Sequence, residues 1–444
     1  MKLLYNRRMK NMTFYSYSFG CRVNEAEKEE IDRKMISLGY NFNDVNSDII
    51  IVNSCSVTNK AQREARQYIF QMKKKHPNAK IVVTGCAATY WLKNSQTKAV
   101  PADLIVDNIN KEYLTEIIKK RFSQQSGFHP GDGTGTTNKF IGSGRVMIKI
   151  QDGCQRFCTF CIVPYLRGMP QSEKIKNLKL KIKQYEGKVS EVILTAINTQ
   201  AFGYDTGEKF VDLLKAVIDN TNIPRISLGS VHPWSLDTSF FEFYERYKNK
   251  KRLVNFFHVP LQSGSNKMLN LMKRGYTKEE MLDKLEKLRG LNENTLLATD
   301  IIVGFLEETD ADFKETYDFL EKSPIDKFHV FRFSKRSKTA ADYMAKRLTE
   351  PSSKEKEARA LALIELSRQK LNKFMAKNVG RTTKALFLEK VVRGFQEALL
   401  DNQLPIYVDV KGRKPAFGME EVRAKIRDVE IVDFKKGQLF GKIV

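Results

Sequence analysis

The sequence has few of the features that mark an exported or membrane-spanning protein. No stretch reaches the roughly 18 consecutive apolar residues that a membrane-spanning helix requires. The basic N-terminal segment runs into aromatic residues, but Thr13, Ser16 and Ser18 interrupt any apolar run, which excludes a typical signal peptide. These absences predict a cytoplasmic protein with no membrane partner. The first predicted strand begins near residue 13, after two candidate alternative starts.

Cysteine is also scarce, with six residues in a chain of 444. At about 150 residues per domain, this length predicts roughly three domains with a large buried core. A chain of this size does not need disulfides to stabilise its fold. In a reducing compartment free thiols persist, and clustered cysteines favour metal ligands over disulfides.

Acidic residues are too few to balance the basic ones. The 76 lysines and arginines against 52 acidic residues give a formal net charge of +24. A field of this sign favours a polyanionic partner such as a nucleic acid. The alternative is a lysine-rich composition with no nucleic-acid partner, because the lysines are scattered along the chain.

The pattern of residues 12–122 predicts a domain built on a parallel β-sheet covered by helices. Three apolar strands, TFYSYSF, DIIIVNS and KIVVTG, alternate with amphipathic helices, which is typical of a parallel sheet covered on both faces. Cys21, Cys55 and Cys86 follow the three strands in turn. Parallel strands end at one edge of their sheet, where such folds bind ligands, so we expect these cysteines to lie close together. The alternative is three unrelated buried cysteines.

Three further segments complete the predicted α/β organisation. Residues 123–140 are rich in Gly, Ser, Thr and Pro and indicate a linker. Residues 141–378 contain six candidate strands separated mostly by amphipathic helices, which predicts an incomplete (β/α)6 barrel, since the count is too low for eight strands. Residues 379–444 contain four short strands with turn residues between them, which predicts a small antiparallel β-barrel of a kind that often binds oligonucleotides.

The remaining cysteines lie close together in DGCQRFCTFCIVPYLRG, just after the first strand of the central segment. Cys154, Cys158 and Cys161 are separated by three and two residues, and such thiolates suit one corner of an iron–sulfur cluster. Three ligands leave one iron open for a substrate or cofactor. A structural zinc would need a fourth cysteine or histidine nearby, but a catalytic zinc with three cysteines and a water stays open.

This cysteine motif resembles that of the radical S-adenosylmethionine superfamily, and the whole chain resembles its methylthiotransferases. The segments SFGCRVNEAE, VNSCSVT and VVTGCAA are similar to the family's N-terminal domain. VPLQSGSNKMLNLMKRGYT and TDIIVGF are similar to later barrel segments, and the C-terminal strands to the family's RNA-binding TRAM barrel. The resemblance uses all six cysteines.

The resemblance implies two [4Fe–4S] clusters with different tasks. Cys154, Cys158 and Cys161 would hold a cluster whose open iron chelates S-adenosylmethionine, which is cleaved to a 5′-deoxyadenosyl radical. The second cluster would carry the sulfur that is methylated and transferred, and its ligands would be Cys21, Cys55 and Cys86. Two S-adenosylmethionine molecules are then consumed per product, and an unidentified electron donor is required. We expect a monomer.

The resemblance also suggests helper residues. The expected cofactor contacts are Phe160, Asn198, Ser230 and Gln262, and the expected substrate contact is Arg167. For each, a simpler role is the alternative: core packing for Phe160, loop hydrogen bonds for the three polar residues, and an ion pair with a surface acidic residue for Arg167. His258 and His329 lie in strand patterns, where an interior histidine with satisfied hydrogen bonds is expected rather than a metal ligand.

The chain departs from the family's pattern at several positions away from the cysteines. GFLEET lacks the Pro-Gly that usually follows Phe305, and Lys338 stands where the family usually has glycine. These departures concern substrate positioning and turnover, since none of them touches a predicted cluster ligand.

Three branches of the family differ in substrate. Two act on the tRNA adenosine at position 37, next to the anticodon, which bears either a threonylcarbamoyl or an isopentenyl group. The third modifies an aspartate of a small-subunit ribosomal protein. GCRVN and SCSVT are most similar to the threonylcarbamoyl branch, so methylthio insertion at carbon 2 of N6-threonylcarbamoyladenosine is the predicted reaction. A zinc-containing, non-enzymatic RNA-binding protein is the rival from a different class.

Overall fold

The computed structural model describes residues 12–122, 144–392, 394–410 and 425–444. They form two compact units. The first holds the described residues up to 122 together with Ile162–Gly168, and the second holds the described residues up to Cys161 and from Met169 onward. The predicted linker, residues 123–140, lies outside the described residues, as do residues 1–11. Within the described part of the chain, no helix is both long and apolar enough to cross a membrane.

The first unit is built on a five-stranded sheet in which every pair of neighbours is parallel, in the order β2-β1-β3-β4-β5. Its strands are β1 (Thr13–Ser18), β2 (Asn41–Phe42), β3 (Ile49–Ser54), β4 (Lys80–Gly85) and β5 (Leu104–Ile105). Its helices are α1 (Arg22–Ser37), α2 (Asn59–Lys75), α3 (Cys86–Lys93), α4 (Leu114–Phe122) and α5 (Val163–Arg167).

Both faces of this sheet are covered. Alternate residues of the fully buried strand β3 enter two different cores: Ile49 and Ile51 pack on one face, Ile50 and Val52 on the other. The predicted parallel α/β architecture is therefore confirmed. The edge strands β2 and β5 were not predicted, because two residues are too short to show a period.

The second unit begins with the predicted incomplete barrel. Its strands are β6 (Arg145–Asp152), β7 (Gln171–Ser172), β8 (Glu191–Ala196), β9 (Arg225–Leu228), β10 (Phe256–His258), β11 (Leu296–Val303) and β12 (Lys327–Arg332). Its helices are α6 (Ile175–Lys183), α7 (Phe210–Asn220), α8 (Thr238–Tyr247), α9 (Asn266–Leu271), α10 (Lys278–Leu291), α11 (Asp310–Lys322), α12 (Ala340–Met344) and α13 (Ser353–Ala376).

Six of these strands run parallel, as predicted. They form the sheets β7-β6-β8-β9 and β10-β11-β12, and the parallel bridges Ile226↔Leu253 and Ser230↔His258 connect β9 to the next sheet. The short strand β7 is a further, antiparallel neighbour of β6.

A closed five-stranded barrel ends the second unit, in the order β13-β14-β15-β17-β16. Its strands are β13 (Thr382–Val392), β14 (Phe395–Leu400), β15 (Pro405–Asp409), β16 (Ile426–Lys435) and β17 (Gln438–Ile443). The sequence predicted four strands and missed β14, because the Gln, Glu, Ala and Leu of FQEALL favour helix. The barrel is antiparallel except where β15 pairs parallel with β17.

The C-terminal barrel is anchored to the incomplete barrel by buried polar contacts. The guanidinium of Arg225 donates to the carbonyl oxygens of Leu399 (3.0 Å) and Leu400 (2.9 Å), and the Gln403 amide donates to Glu191 at 2.7 Å. Burial alone would raise the pKa of Glu191, but Arg145 and Arg225 hold the pKa below its ordinary value. The carboxylate is thus kept ionised where the two barrels join.

Lys338 adopts φ 71, in the left-handed region where the family resemblance leads us to expect glycine. A residue with a side chain in this conformation is destabilised by about 1–2 kcal/mol relative to glycine. Glycine, however, loses more conformational entropy on folding, which offsets roughly half of that difference. Since Lys338 is exposed, we expect Lys338→Gly to stabilise the protein by about 0.5–1 kcal/mol. Thermal unfolding measures this, with the exposed neighbour Ser337→Gly as control; an equal loss of stability in both variants would contradict the assignment of strain.

Candidate active site

The first cysteine triplet gathers at one edge of the parallel sheet. Cys21, Cys55 and Cys86 follow β1, β3 and β4, which are neighbours in the sheet and parallel. Their carboxyl ends therefore meet at the same edge, as the sequence predicted. Cys21 is the N-cap of α1 and Cys86 is the first residue of α3, and a helix N-terminus favours a thiolate.

Two glycines make this arrangement sterically feasible. Gly20 and Gly85, each directly before a cysteine, both adopt φ 95. A Cβ on Gly20 would lie 2.5 Å from the sulfur of Cys55, and one on Gly85 would lie 2.3 Å from the carbonyl oxygen of Ser54. Only glycine combines this backbone conformation with such a close approach.

Two thiols of this triplet, those of Cys21 and Cys55, have a raised pKa when no metal is bound. Burial raises the pKa of Cys55 to about 12. Cys21 keeps accessible surface, yet crowding by protein atoms also raises the pKa of its thiol, and the positive charge of Arg167 opposes that rise. Metal binding must therefore release protons from these sulfurs.

Arg167 lies in the first unit, buried in an ionic network. Its guanidinium donates to Glu27 Oε1 at 2.8 Å and to Asn24 Oδ1 at 2.6 Å, and Lys111 Nζ donates to Glu27 Oε2 at 2.6 Å. Only 1% of the Arg167 side chain is exposed, and its positive charge acts on the nearby thiol of Cys21. The sequence proposed a substrate role, with an ion pair to a surface acidic residue as the alternative. The observed partner, Glu27, is buried, so the ion pair is not the surface pair expected, and the substrate role remains a prediction.

The second cysteine triplet lies on the loop after β6. Cys158 is buried, and Cys154 and Cys161 are partly accessible. The Asn198 side chain, fully buried, directs its amide nitrogen at the sulfur of Cys154 at 3.6 Å. Arg274 directs Nη1 at the sulfur of Cys158 at 3.2 Å. Donors aimed at ligand sulfurs are among the features that set the properties of a metal centre.

Arg274 is a candidate functional residue that the sequence did not single out. Its guanidinium, 4% exposed, also donates to the carbonyl oxygen of Pro260 at 3.0 Å and to Tyr276 Oη at 2.9 Å. Two guanidinium groups make cation–π contacts with the ring of Trp234. The guanidinium of Arg156 lies 4.0 Å from the ring centroid, and that of Arg274 lies 4.9 Å from it. Arg274 lies within the segment VPLQSGSNKMLNLMKRGYT, but no local pattern distinguishes it from the other arginines.

The other predicted contacts occupy different environments. Phe160 packs against the core cluster that contains Met272 and Phe305. Ser230 Oγ lies 2.7 Å from Nδ1 of His258. Gln262 is buried and adopts φ 81, a conformation that costs energy for a non-glycine residue and often occurs near functional sites. These positions do not test a cofactor role, so the predicted contacts remain predictions.

The donor type bears on which metal centre the cysteines suit. Cysteine thiolates are the usual ligands of iron–sulfur clusters, whereas a structural zinc site takes four protein ligands and each triplet offers three. The donor set therefore fits an iron–sulfur cluster with one open iron.

Comparisons with known proteins bear on both units. A profile of the Radical SAM superfamily matches residues 148–320, and one described as uncharacterized protein family UPF0004 matches residues 13–107. The chain is 32% identical to threonylcarbamoyladenosine tRNA methylthiotransferase MtaB of Aquifex aeolicus over 92% of this chain and 98% of that protein. It is 31% identical to tRNA-2-methylthio-N(6)-dimethylallyladenosine synthase of a Sulfurovum species over 96% and 98% of the two chains.

Among solved structures, the radical S-adenosylmethionine methyltransferase TsrM from Kitasatospora setae has a similar fold. The TM-score is 0.50 at 12% identity, over 73% of this chain and 75% of that one. Together, the profile match and the fold imply S-adenosylmethionine and a [4Fe–4S] cluster as cofactors. With identities above 30% over nearly the full length of both chains, the protein is an enzyme that belongs to the tRNA methylthiotransferase family of the radical S-adenosylmethionine superfamily.

Proposed function

We propose that this enzyme inserts a methylthio group at carbon 2 of N6-threonylcarbamoyladenosine at position 37 of tRNA. The observation that carries the proposal is the presence of two separate cysteine triplets, each at the carboxyl ends of parallel strands. One triplet suffices for S-adenosylmethionine cleavage, so a second one, in which Cys21 and Cys86 lie at helix N-termini, supports a further centre for sulfur chemistry. The net charge of +24 supports a polyanionic substrate.

The residues that would hold the two cofactor clusters are the two triplets. When bound, the cluster at Cys154, Cys158 and Cys161 would supply reductive cleavage of S-adenosylmethionine, and the proposed second cluster, at Cys21, Cys55 and Cys86, would supply the sulfur. The protein's own contribution is to place ligands and donors and to exclude water.

The placement of donors follows a common scheme at both triplets. At the first triplet, the amide nitrogen of Asn108 lies 3.7 Å from the sulfur of Cys86. At the second, Asn198 donates to the sulfur of Cys154 and Arg274 donates to the sulfur of Cys158. Such donors withdraw charge from the thiolates and thereby favour the reduced state of a bound cluster. The described side chains thus prepare both triplets for an anionic metal centre.

We expect Arg167→Gln to lower iron retention more than it lowers stability. Glu27 keeps its ion pair with Lys111 in the variant, so the apoprotein is not left with an isolated buried charge. The positive charge that favours the thiolates of Cys21 and Cys55 is lost, however. Iron per chain should fall from about eight towards about four, while Arg167→Lys should retain more iron. Unchanged iron in Arg167→Gln would show that the charge does not support cluster binding.

The nature of the group on adenosine 37 is the finer part of the proposal. Relatives named for threonylcarbamoyladenosine and for dimethylallyladenosine, the isopentenyl form, are similar to the chain to nearly the same degree. The short motifs GCRVN and SCSVT favour the threonylcarbamoyl form. The names of the relatives favour tRNA over the third alternative, a ribosomal aspartate, and membership of this enzyme family rules out a zinc-containing, non-enzymatic RNA-binding protein.

Nucleoside mass spectrometry of tRNA from a strain that lacks the gene tests this assignment. We expect the methylthio-threonylcarbamoyl nucleoside to disappear, its unmodified precursor to accumulate, and the wild-type gene to restore the product. A complementing gene with Cys158→Ala should not restore it. Loss of the methylthio-dimethylallyl nucleoside instead would overturn the substrate assignment while leaving the reaction class intact.

A further inference from the structure

A cluster of two histidines and one aspartate lies on one face of the incomplete barrel. His258 is the last residue of β10, Asp300 lies in β11, and His329 in β12. Asp300 is directly opposite His329, and His258 is opposite Ala298, two residues before Asp300. Because side chains alternate along a strand, these three point to the same side of the sheet.

The polar atoms of the three side chains converge. One ligand atom from each lies within 4.8 Å of the other two, and within the described ranges of the chain this is the one such group of His, Cys, Asp or Glu. Nε2 of His258 lies 3.0 Å and Nδ1 of His329 lies 3.4 Å from the same oxygen, Oδ1 of Asp300. Ligands on a metal with bonds of about 2.1 Å are about 3.0 Å apart in octahedral and about 3.4 Å apart in tetrahedral coordination.

The surroundings of His258 suit a metal ligand. Its other ring nitrogen, Nδ1, is 2.7 Å from Ser230 Oγ, and metal-bound histidines almost always have their second nitrogen fixed by such a hydrogen bond. The sequence led us to expect interior histidines with satisfied hydrogen bonds. His329 departs from this, because 45% of its side chain is exposed and its 3.4 Å approach to Asp300 is long for a hydrogen bond.

We propose that His258 Nε2, Asp300 Oδ1 and His329 Nδ1 form a binding site for a divalent transition-metal ion such as zinc. Two imidazoles and one carboxylate are a donor set that takes such ions and leaves coordination positions open. The site shares no ligand with either cysteine triplet. A divalent ion on one carboxylate and two neutral imidazoles leaves a net positive charge at the site.

The open positions suit an anionic oxygen ligand. The threonylcarbamoyl group carries a carboxylate, whereas the dimethylallyl group carries no polar atom beyond the adenine nitrogen to which it is attached. Resting on the proposed function, we assign the ion the role of binding that carboxylate. The site would then contribute to the choice between the two modified adenosines.

Metal analysis of the loaded enzyme tests the site without any tRNA. Protein with both cysteine triplets filled with iron is treated with a chelator, titrated with Zn²⁺, desalted, and measured for zinc and iron. We expect about one zinc per chain in the parent and in the control His76→Ala, and a loss of at least about tenfold in zinc affinity in His329→Ala and Asp300→Asn at constant iron. Because His329 is half-exposed, its replacement should leave the melting temperature unchanged. Zinc that is absent from the parent, or undiminished in His329→Ala, overturns the metal site.

Nucleoside binding tests the assigned role. Equilibrium dialysis compares the free threonylcarbamoyl and dimethylallyl nucleosides with the zinc-loaded and zinc-free enzyme. We expect zinc to tighten binding of the first by about tenfold or more and to leave the second unchanged. If zinc binds but makes no such difference, the carboxylate assignment is overturned. A different pair of results would separate the two proposals. If zinc tightens binding of the threonylcarbamoyl nucleoside, but tRNA from the deletion strain lacks only the methylthio-dimethylallyl nucleoside, the proposed function is wrong and the zinc site is not.

Discussion

Replacing Cys55 with alanine is expected to abolish methylthio insertion and leave S-adenosylmethionine cleavage active. The variant loses one of the three proposed cluster ligands at the sheet edge, the buried thiol of Cys55. Iron should fall from about eight to about four per chain, since each cubane cluster holds four. Product formation should fall by at least about a thousandfold. Cleavage, which depends on the other triplet, is measured by release of 5′-deoxyadenosine with dithionite as reductant.

The matched variant is Cys158→Ala. It should also lose about half the iron, but it should abolish cleavage and insertion together. A Cys55→Ala enzyme that still forms the methylthio product would contradict the proposed division between the two triplets. Equal loss of cleavage in both variants would do so as well.

Gly85→Ala is expected to lower both the unfolding free energy and the iron content, because the new Cβ disturbs the backbone before Cys86. This Cβ would lie 2.3 Å from the Ser54 carbonyl oxygen, at φ 95. A backbone at φ 95 and ψ -167 is essentially restricted to glycine and costs another residue about 1–3 kcal/mol, and the forced shift of neighbouring backbone costs roughly a further 1–3 kcal/mol. We therefore expect the unfolding free energy to fall by about 3 kcal/mol and iron to fall by about half, because Cys86 is displaced.

The control for backbone strain is Gly187→Ala. Gly187 adopts φ 71, but nothing lies within 4 Å of its Cβ position, so only the conformational cost applies. Thermal unfolding and iron analysis of both variants separate strain from steric clash. Similar losses in the two variants would show that close packing before Cys86 is not needed.

The sequence predicted the architecture where its signal was periodic and long. Continuous apolar strands such as β3 indicated the parallel sheet, and the position of each cysteine after a strand indicated that the first triplet would gather. Strand β14 was missed because its buried half, Ala398–Leu400, follows residues that favour helix. Tertiary packing decided its structure, and no local pattern records that.

The surroundings of the proposed cluster ligands were harder to foresee. Arg274 and Asn198 reach the sulfurs of Cys158 and Cys154 across 116 and 44 positions of sequence, and such contacts follow only from the folded barrel. The buried ion pair of Arg167 with Glu27 was likewise not predicted, because the helix that carries Arg167 belongs to the first unit although it follows the cysteine motif in the sequence. Lys338 adopts a backbone conformation that favours glycine, which the family resemblance led us to expect at this position.

The product balance of the purified enzyme tests the proposed reaction most directly. Iron-loaded protein is incubated without oxygen with S-adenosylmethionine, a reductant, and tRNA that carries N6-threonylcarbamoyladenosine at position 37, and products are quantified by mass spectrometry. We expect the methylthio nucleoside together with equal amounts of S-adenosylhomocysteine and 5′-deoxyadenosine, one of each per product. Cleavage of S-adenosylmethionine without sulfur insertion into this tRNA, by protein with both iron sites filled, would show that the proposed reaction is wrong.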